Sequence, residues 1–149
     1  MNIIWIFFGL GLLGLDMLSK YLAQTALQEP FIILPGILEF SESLNPGIAF
    51  SLPVPNIAML IITPLLLAAV VFGARKYCNM RSGAAKIALA LFLAGGMGNY
   101  INRAAQGAVV DFIDFSFWPS FNLADAYLTI SAFLLIIFHG KIISNDERH

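Results

Sequence analysis

Charged side chains are scarce in this chain of 149 residues, in which Asp, Glu, Lys and Arg together make up 11%. An average soluble domain has about 25%. Hydrophobic residues account for 59%, and the mean hydropathy is +0.83. A globule of this size would lack the polar side chains needed to cover its surface. The composition therefore argues against a water-soluble protein and predicts a single domain, residues 1–149, embedded in a bilayer.

Cysteine and histidine are almost absent. Cys78 is the only cysteine, which excludes an intrachain disulfide, and the two histidines, His139 and His149, both lie near the C-terminal end. No Cys/His cluster has metal-ligand spacing, and no glycine-rich phosphate loop is present. A net charge of −1 offers no basic surface to nucleic acid. We therefore expect no metal, no cofactor and no nucleic-acid partner.

Four apolar windows approach the roughly 20 residues that a transmembrane helix needs. They predict spans at about residues 3–23, 54–73, 84–101 and 121–139. A cleaved signal peptide is the alternative for the first window, but such a peptide begins with basic residues, and MNIIW has none. The expected fold class is an all-α membrane protein with four transmembrane helices.

The basic residues indicate the orientation, because short cytoplasmic loops collect Lys and Arg. The connection between the second and third spans has four basic residues and no acidic one: Arg75, Lys76, Arg81 and Lys86. The first connection, residues 24–53, has three glutamates and no basic residue. We therefore expect the first connection outside the cytoplasm and both termini inside it. Cys78 then lies in a reducing compartment as a free thiol.

The first connection also contains two short β-favourable runs, residues 31–34 and 37–40. The turn dipeptide Pro35-Gly36 separates them. This pattern predicts a small sheet or hairpin on the membrane surface. An amphipathic interfacial loop without a sheet is the alternative.

Ionisable residues in or beside a span are energetically costly and so are functional candidates. Four of them, Asp16, Lys20, Asp111 and Asp125, map to the outer end of the predicted bundle. Asp16 and Lys20 have the spacing and order of a helical ion pair, for which a structural or substrate-anchoring role is favoured over catalysis. The clustering at one depth is the strongest functional signal in the residues themselves.

Asp111 and Asp125 form a candidate pair for acid–base chemistry. Two carboxyl groups close together at a low-dielectric interface share one proton. Such a pair provides an acid and a base for peptide hydrolysis without a metal. The alternatives are that Asp125 completes a helix cap begun at Asn122, and that Asp111, like Asp114, is a solvated loop acid.

Three other polar or small-residue groups lie near these acids. Asn45-Pro46-Gly47 predicts a turn, and the glycines of residues 95–98 permit close helix approach. Asn99 and Arg103, four residues apart, project from one helix face. They are candidates to hold a carboxylate or an extended peptide, with packing and interfacial anchoring as the alternatives.

Five short motifs follow one another between residues 14 and 131. They are Asp16-x-x-x-Lys20, Asn45-Pro46-Gly47-Ile48-Ala49-Phe50, GGMGNYINR at residues 95–103, Val109-Val110-Asp111-Phe112 and Phe121-Asn122-Leu123-Ala124-Asp125. In this order they resemble the motifs of the lipoprotein signal peptidase family, bacterial aspartyl proteases of the inner membrane.

The resemblance implies that Asp111 and Asp125 are the catalytic residues. It implies a further set that binds substrate or shapes the site: Asp16, Lys20, Asn45, Gly98, Asn99, Arg103, Asn122 and Ala124. The implied architecture is four transmembrane helices with a small extracytoplasmic β-cradle. One departure is Asn102, where the family motif has Asp before its Arg. An amide keeps a hydrogen bond but carries no charge.

The resemblance also implies the reaction and the partners. A signal peptide would be cut from a prolipoprotein just before a cysteine that carries a diacylglyceryl group, near the outer face of the bacterial cytoplasmic (inner) membrane. Membrane lipids and cyclic peptide inhibitors of the globomycin type are further implied partners, and no cofactor is implied.

A proton-coupled transporter or relay is the rival interpretation, because intramembrane acids also build proton pathways. No ionisable residue lies midway through the second, third or fourth predicted span. A relay would therefore lack its inner half, which favours the peptidase.

Overall fold

A computed structural model describes residues 3–47 and 55–142. Within these residues the chain forms five helices and four strands. The helices are α1 (Ile3–Ala26), α2 (Asn56–Tyr77), α3 (Gly83–Gln106), α4 (Leu123–Ile137) and α5 (His139–Ile142). The strands are β1 (Phe31–Leu34), β2 (Leu38–Asn45), β3 (Val109–Phe115) and β4 (Trp118–Phe121).

Three of the helices, α1, α2 and α3, are long and apolar enough to cross a membrane. The fourth, α4, is apolar but has only 15 residues. That is about 22 Å of helix, less than the roughly 30 Å hydrocarbon core of a bilayer. A mostly helical fold with a small sheet is thus confirmed.

The first three helices do not have the same ends as the predicted membrane spans. α1 continues to Ala26 and α3 to Gln106, beyond the expected ends at 23 and 101. Polar residues lower the hydropathy of a window, yet they remain good helix residues where a helix emerges into the interface. α2 occupies 56–77 rather than 54–73, and position 54 lies outside the described residues.

The fourth helix begins slightly later than the predicted fourth span. Phe121, the expected first residue, belongs to β4, and Asn122 is the N-cap of α4. The helix therefore begins at Leu123. Hydropathy alone does not separate an apolar strand end from the helix that follows it.

The sheet is antiparallel, with the strand order β1-β2-β3-β4. The first predicted strand is confirmed at Phe31–Leu34, and Gly36 occupies the left-handed region (φ 69°) that the turn requires. β2 runs to Asn45 rather than ending at Phe40. Its apolar alternation is interrupted by a bulge, where residues 41 and 42 lie opposite the single residue Phe112.

α3 is the central helix, and it packs against α1, α2 and α4. Small residues make this possible. A Cβ at Gly95 would lie 2.5 Å from the backbone oxygen of Ala124 and 2.9 Å from Cγ of Leu128. A Cβ at Gly98 would collide with Oδ2 of Asp16. Both glycines are therefore needed for the close approach of α4 and α1.

Two contacts define the end of the bundle that is opposite the sheet. The backbone N–H of Asn79, in the α2–α3 connection, donates to the carbonyl of Ile142 at 2.6 Å. Lys86 Nζ lies 5.8 Å from the ring centroid of Trp5. The start of α1, the α2–α3 connection and α5 therefore share one end, and the sheet lies at the other.

Candidate active site

Polar side chains are buried together where the helix bundle meets the sheet. Those that are nine-tenths or more buried in this region are Asp16, Lys20, Asn99, Asn102, Arg103, Asp111 and Asn122. A cavity of about 840 Å³ adjoins them, and its lining includes Asn45, Asn99, Arg103, Asp111 and Asp125. Most of these residues were predicted from the sequence to lie at one depth, and in the structure hydrogen bonds join them in one network.

Asp111 lies on β3 and is only 2% exposed. Its Oδ1 accepts from Asn122 Nδ2 at 2.6 Å, and its Oδ2 accepts from Asn45 Nδ2 at 3.0 Å. Burial raises the pKa of Asp111 to about 6, and the charge of Asp125 adds to this, against the hydrogen bonds from Asn45 and Asn122 and the charge of Lys20. The alternative of a solvated loop acid is therefore wrong for Asp111.

Asp125 lies in the first turn of α4 and forms a capping box with Asn122. The backbone N–H of Asp125 donates to Asn122 Oδ1 at 3.0 Å, and Asp125 Oδ2 accepts from the backbone N–H of Asn122 at 3.3 Å. Asp125 Oδ1 accepts from Asn99 Nδ2 at 2.8 Å. The predicted cap is thus present, and it holds the carboxyl at the cavity wall beside Asp111.

Asp16 and Lys20 form the predicted ion pair, with Nζ 2.8 Å from Oδ2. Asp16 is fully buried and Lys20 is 2% exposed, so Lys20 does not reach toward solvent. Asp16 Oδ1 accepts from the backbone N–H of Ala124 at 2.9 Å, and Lys20 Nζ also donates to Asn99 Oδ1 at 2.9 Å. The pair therefore connects α1 to α3 and α4.

Arg103 and Asn45 hold the turn that closes the site. Arg103 donates from a terminal guanidinium nitrogen to the carbonyl of Gly47 at 2.7 Å, while the backbone N–H of Gly47 donates to Asn45 Oδ1 at 3.0 Å. The guanidinium interacts electrostatically with Asp111 and Asp125. The predicted turn is thus present at 45–47, and the rest of that motif, residues 48–50, lies outside the described residues.

Asn102, the departure from the family motif, contacts β3 in the structure. Its Oδ1 accepts from the backbone N–H of Val110 at 2.6 Å, next to Asp111 in the chain. A carboxylate or an amide oxygen accepts this bond equally well. Asn102 therefore connects α3 to β3.

Two strands, β3 and β4, were not predicted from the sequence, and they supply cavity residues that include Trp118 and Phe121. The alternating run from Val109 to Phe115, followed by the Ser116-Phe117 turn, was the available signal. Among the described residues, no group of three or more His, Cys, Asp or Glu side chains is placed to hold a metal ion.

Two carboxyl groups held by amides define a paired-carboxylate site at the end of a bundle whose helices include three long and apolar enough to cross a membrane. A family model described as signal peptidase II matches residues 8–140. The chain belongs to the signal peptidase II family.

Relatives and solved structures agree with this assignment. The chain is 36% identical to a lipoprotein signal peptidase of Chlorobium phaeovibrioides, with 93% of this chain and 91% of the relative covered. It is 37% identical to the lipoprotein signal peptidase of Chlorobaculum tepidum, with 89% of this chain and 91% of the relative covered. A solved bacterial membrane enzyme, 31% identical, superposes with a TM-score of 0.83 over 93% of this chain and 88% of the other.

The activity follows from the family. This membrane protein is an aspartic, metal-independent endopeptidase that removes signal peptides from prolipoproteins. The comparisons give no support to the transporter interpretation.

Proposed function

We propose that Asp111 and Asp125 are the catalytic pair of this peptidase. The observation that carries the proposal is the position of Asn122, which donates its side-chain N–H to Asp111 and its backbone N–H to Asp125. One residue thereby holds both carboxyl groups at the wall of the same cavity. A simple helix cap would not need the additional contact to β3.

The two acids have unlike surroundings, which favours unlike roles. Asp125 is less buried than Asp111 and lines the cavity, a position from which a carboxylate can act as the base toward water. Asp111, whose pKa is raised to about 6 by burial, holds the proton that passes to the oxygen of the scissile carbonyl. Water then adds to the carbonyl carbon and gives its proton to Asp125. The leaving amine takes that proton as the C–N bond breaks, and Asp111 recovers its own proton from a hydroxyl of the gem-diol.

The cavity suits a lipidated peptide substrate. Its lining has an apolar part formed by Leu44, Met59, Val109, Trp118, Phe121, Leu128 and Ile130. We infer that this part takes the acyl chains of a diacylglyceryl-modified cysteine, and that cleavage falls just before that cysteine. Membrane lipids border the same opening, and cyclic peptides of the globomycin type would compete with substrate there.

The remaining residues shape this site in our proposal. Asn45, Asn99, Arg103 and Asn122 bind or align the acids and the peptide backbone. The contacts that hold α1, α3 and α4 together beside the site are made by Asp16, Lys20, Gly98 and Ala124.

We propose four membrane spans in the single domain 1–149. Although α4 ends at Ile137, the N–H of Phe138 bonds to the carbonyl of Leu134, and that of Ile142 bonds to the carbonyl of Phe138. α5 thus follows α4 after the single residue Phe138, and together they cover residues 123–142, a stretch of about 30 Å at the rise of an α-helix. This length matches the hydrocarbon core.

We also propose that the termini are cytoplasmic and that the site lies near the outer face of the bacterial inner membrane. The bundle end with the α2–α3 connection carries Arg75, Lys76, Arg81 and Lys86, which the positive-inside rule assigns to the cytoplasm. The sheet and the two acids lie at the opposite end.

Cleavage of a lipidated precursor by purified variants tests the catalytic proposal. Asp111→Asn and Asp125→Asn should each reduce the rate at least about 10²-fold, the typical contribution of acid–base catalysis, with far from additive losses in the double variant. Folding should persist, because Asn also caps helices.

Asp114→Asn is the matched control, since Asp114 lies three residues along β3 and so on the other face of the strand. It should retain activity. A well-folded Asp111→Asn or Asp125→Asn enzyme that cuts at the parental rate would overturn the proposal.

A further inference from the structure

The buried ion pair of α1 does more than join helices, because one of its members contacts an amide of the site. Lys20 Nζ lies 2.8 Å from Asp16 Oδ2 and 2.9 Å from Asn99 Oδ1. Asn99 Nδ2 in turn lies 2.8 Å from Asp125 Oδ1. A continuous chain of hydrogen bonds therefore runs from Asp16 through Lys20 and Asn99 to Asp125.

The chemistry of these side chains fixes the direction of every hydrogen bond between them. An ammonium group has three donors and no acceptor, so the oxygen of the Asn99 amide must face Lys20. Its NH₂ group must then face Asp125. A second donor to Asn99 Oδ1 is Asn122 Nδ2 at 3.3 Å, but that group makes its short bond, 2.6 Å, to Asp111.

Without Lys20 the oxygen of Asn99 would keep only the longer bond from Asn122, at 3.3 Å. If the amide turned over, its oxygen would face Asp125 Oδ1, and one of the donors that hold this carboxyl would be lost. Asp125 would then no longer be fixed in its place beside Asp111.

We propose that Lys20 is a positioning residue that fixes the side-chain amide of Asn99 with its N–H groups toward Asp125 and so holds the Asp125 carboxyl in place beside Asp111. The inference rests on the proposed catalytic roles of Asp111 and Asp125. Asp16 holds the ammonium in place, and Ala124 N–H holds Asp16.

The charged groups around the ion pair come from several elements. Asp125 of α4 interacts electrostatically with Asp16, Lys20 interacts with Asp111 of β3, and Arg103 of α3 interacts with both acids of the pair. Tyr127 of α4 interacts with Asp16. From β2, Glu42 contacts Gln24, one turn beyond Lys20 on α1.

The test must separate positioning from stability, because Lys20→Met alone leaves Asp16 buried without a counter-charge. The informative variant is Asp16→Asn/Lys20→Met, which removes both charges together. We expect its melting temperature in detergent to recover relative to Lys20→Met. Its kcat should nevertheless stay between about 10- and 100-fold below the parent, the range expected for a misplaced catalytic group, while KM changes less than about threefold.

The pH profile is the second measurement. Loss of the Lys20 charge raises the pKa of Asp111, because that charge lowers it in the parent. The limb along which activity falls with rising pH should therefore move to higher pH in the double variant. The shifted limb reports the lost Lys20 charge, whereas a purely structural role predicts parental kcat once stability has recovered, and that result would overturn the proposal.

Coupling to Asn99 is the third measurement. In an Asn99→Leu background no amide is left to orient, so Asp16→Asn/Lys20→Met should reduce kcat less than about twofold further. A full additional loss would contradict action through Asn99. If instead Asp111→Asn or Asp125→Asn is active, the catalytic assignment itself fails, which distinguishes the two proposals.

Discussion

Asn122 bonds with both proposed catalytic acids through different groups, its side-chain amide and its backbone N–H. Its Oδ1 at the same time accepts the N3 backbone N–H of α4. A residue type chosen for helix capping therefore also sets the geometry of the acids. Replacement by Ser or Thr would retain the cap but would lose the side-chain N–H donor to Asp111.

Asn45 provides a prediction about pH dependence. Its amide donates to Asp111 Oδ2 and stabilises the charged form, which lowers the pKa of Asp111 against the larger effect of burial. Asn45→Ala should raise that pKa above about 6. If activity requires one proton on the pair, kcat/KM falls as pH rises through the pKa of Asp111, so the falling limb should move to higher pH in the variant.

The measurement is the pH profile of kcat/KM for a lipidated precursor, which reports ionisations of the free enzyme. Ser41→Ala, a substitution elsewhere on β2, is a suitable control. If the falling limb of the kcat/KM profile stays in place or moves to lower pH in Asn45→Ala, that limb does not report the ionisation of Asp111.

Asn102 provides a prediction about the departure from the family motif. Its oxygen accepts the backbone N–H of Val110, a task that Asp performs as well, so Asn102→Asp should stay within a few-fold of parental activity. Asn102→Leu leaves this buried N–H without its acceptor, which costs about 1–3 kcal/mol of stability. Precursor cleavage and melting temperature distinguish the two variants. A 10²-fold loss or a large gain in Asn102→Asp would show that charge matters at this position.

At the scale of elements, α3 carries the site because its small residues let its neighbours approach. Gly98 is the most constrained of these, because a Cβ there would collide with Asp16 Oδ2. We expect Gly98→Ala to force α1 away and to destabilise the protein by about 1–3 kcal/mol, the usual cost of overpacking. Peptidase activity should fall with the displaced ion pair.

Thermal unfolding in detergent, together with precursor cleavage, checks this expectation. Gly11→Ala is the matched control, since a Cβ at Gly11 meets nothing within 4 Å. Parental stability and activity in Gly98→Ala would show that α1 tolerates a wider separation from α3.

The elements were predictable from the sequence to an uneven degree. Long apolar helices, the Asp16–Lys20 pair and the Asn122 cap follow local rules of periodicity and spacing, and all three are present. β3 and β4 were missed, since their pairing with β2 joins residues far apart in the chain. The burial of Asp111 has the same cause: no local pattern reveals that the sheet and α4 will enclose it.

Hydrogen-bond direction inside the site was likewise beyond the sequence. Asn99 was a candidate to hold a carboxylate, and it does so. The motif did not show that Lys20 would face the other end of that amide, because this contact depends on how closely α1 packs on α3.

For the whole molecule, the proposed topology makes a prediction that labelling can check. Cys78 lies just after α2 in the α2–α3 connection and should react only with membrane-permeant thiol reagents in intact cells. Burial raises the pKa of its thiol, so mildly alkaline conditions are needed. A Glu39→Cys variant built on Cys78→Ser should react with impermeant reagents. Labelling of Cys78 from outside would reverse the orientation and place the site at the inner face.

The pairing of β2 with β3 has a consequence for how the site forms during translation. Ser43 and Asp111 are register partners, and Asp16 bonds to the N–H of Ala124, so residues synthesised early meet residues synthesised late. The first contact can form only after β3 has left the ribosome, and the second only after the beginning of α4 has done so. With Asp111 and Asp125 as the proposed catalytic pair, a nascent chain therefore has no complete site until most of it has been synthesised.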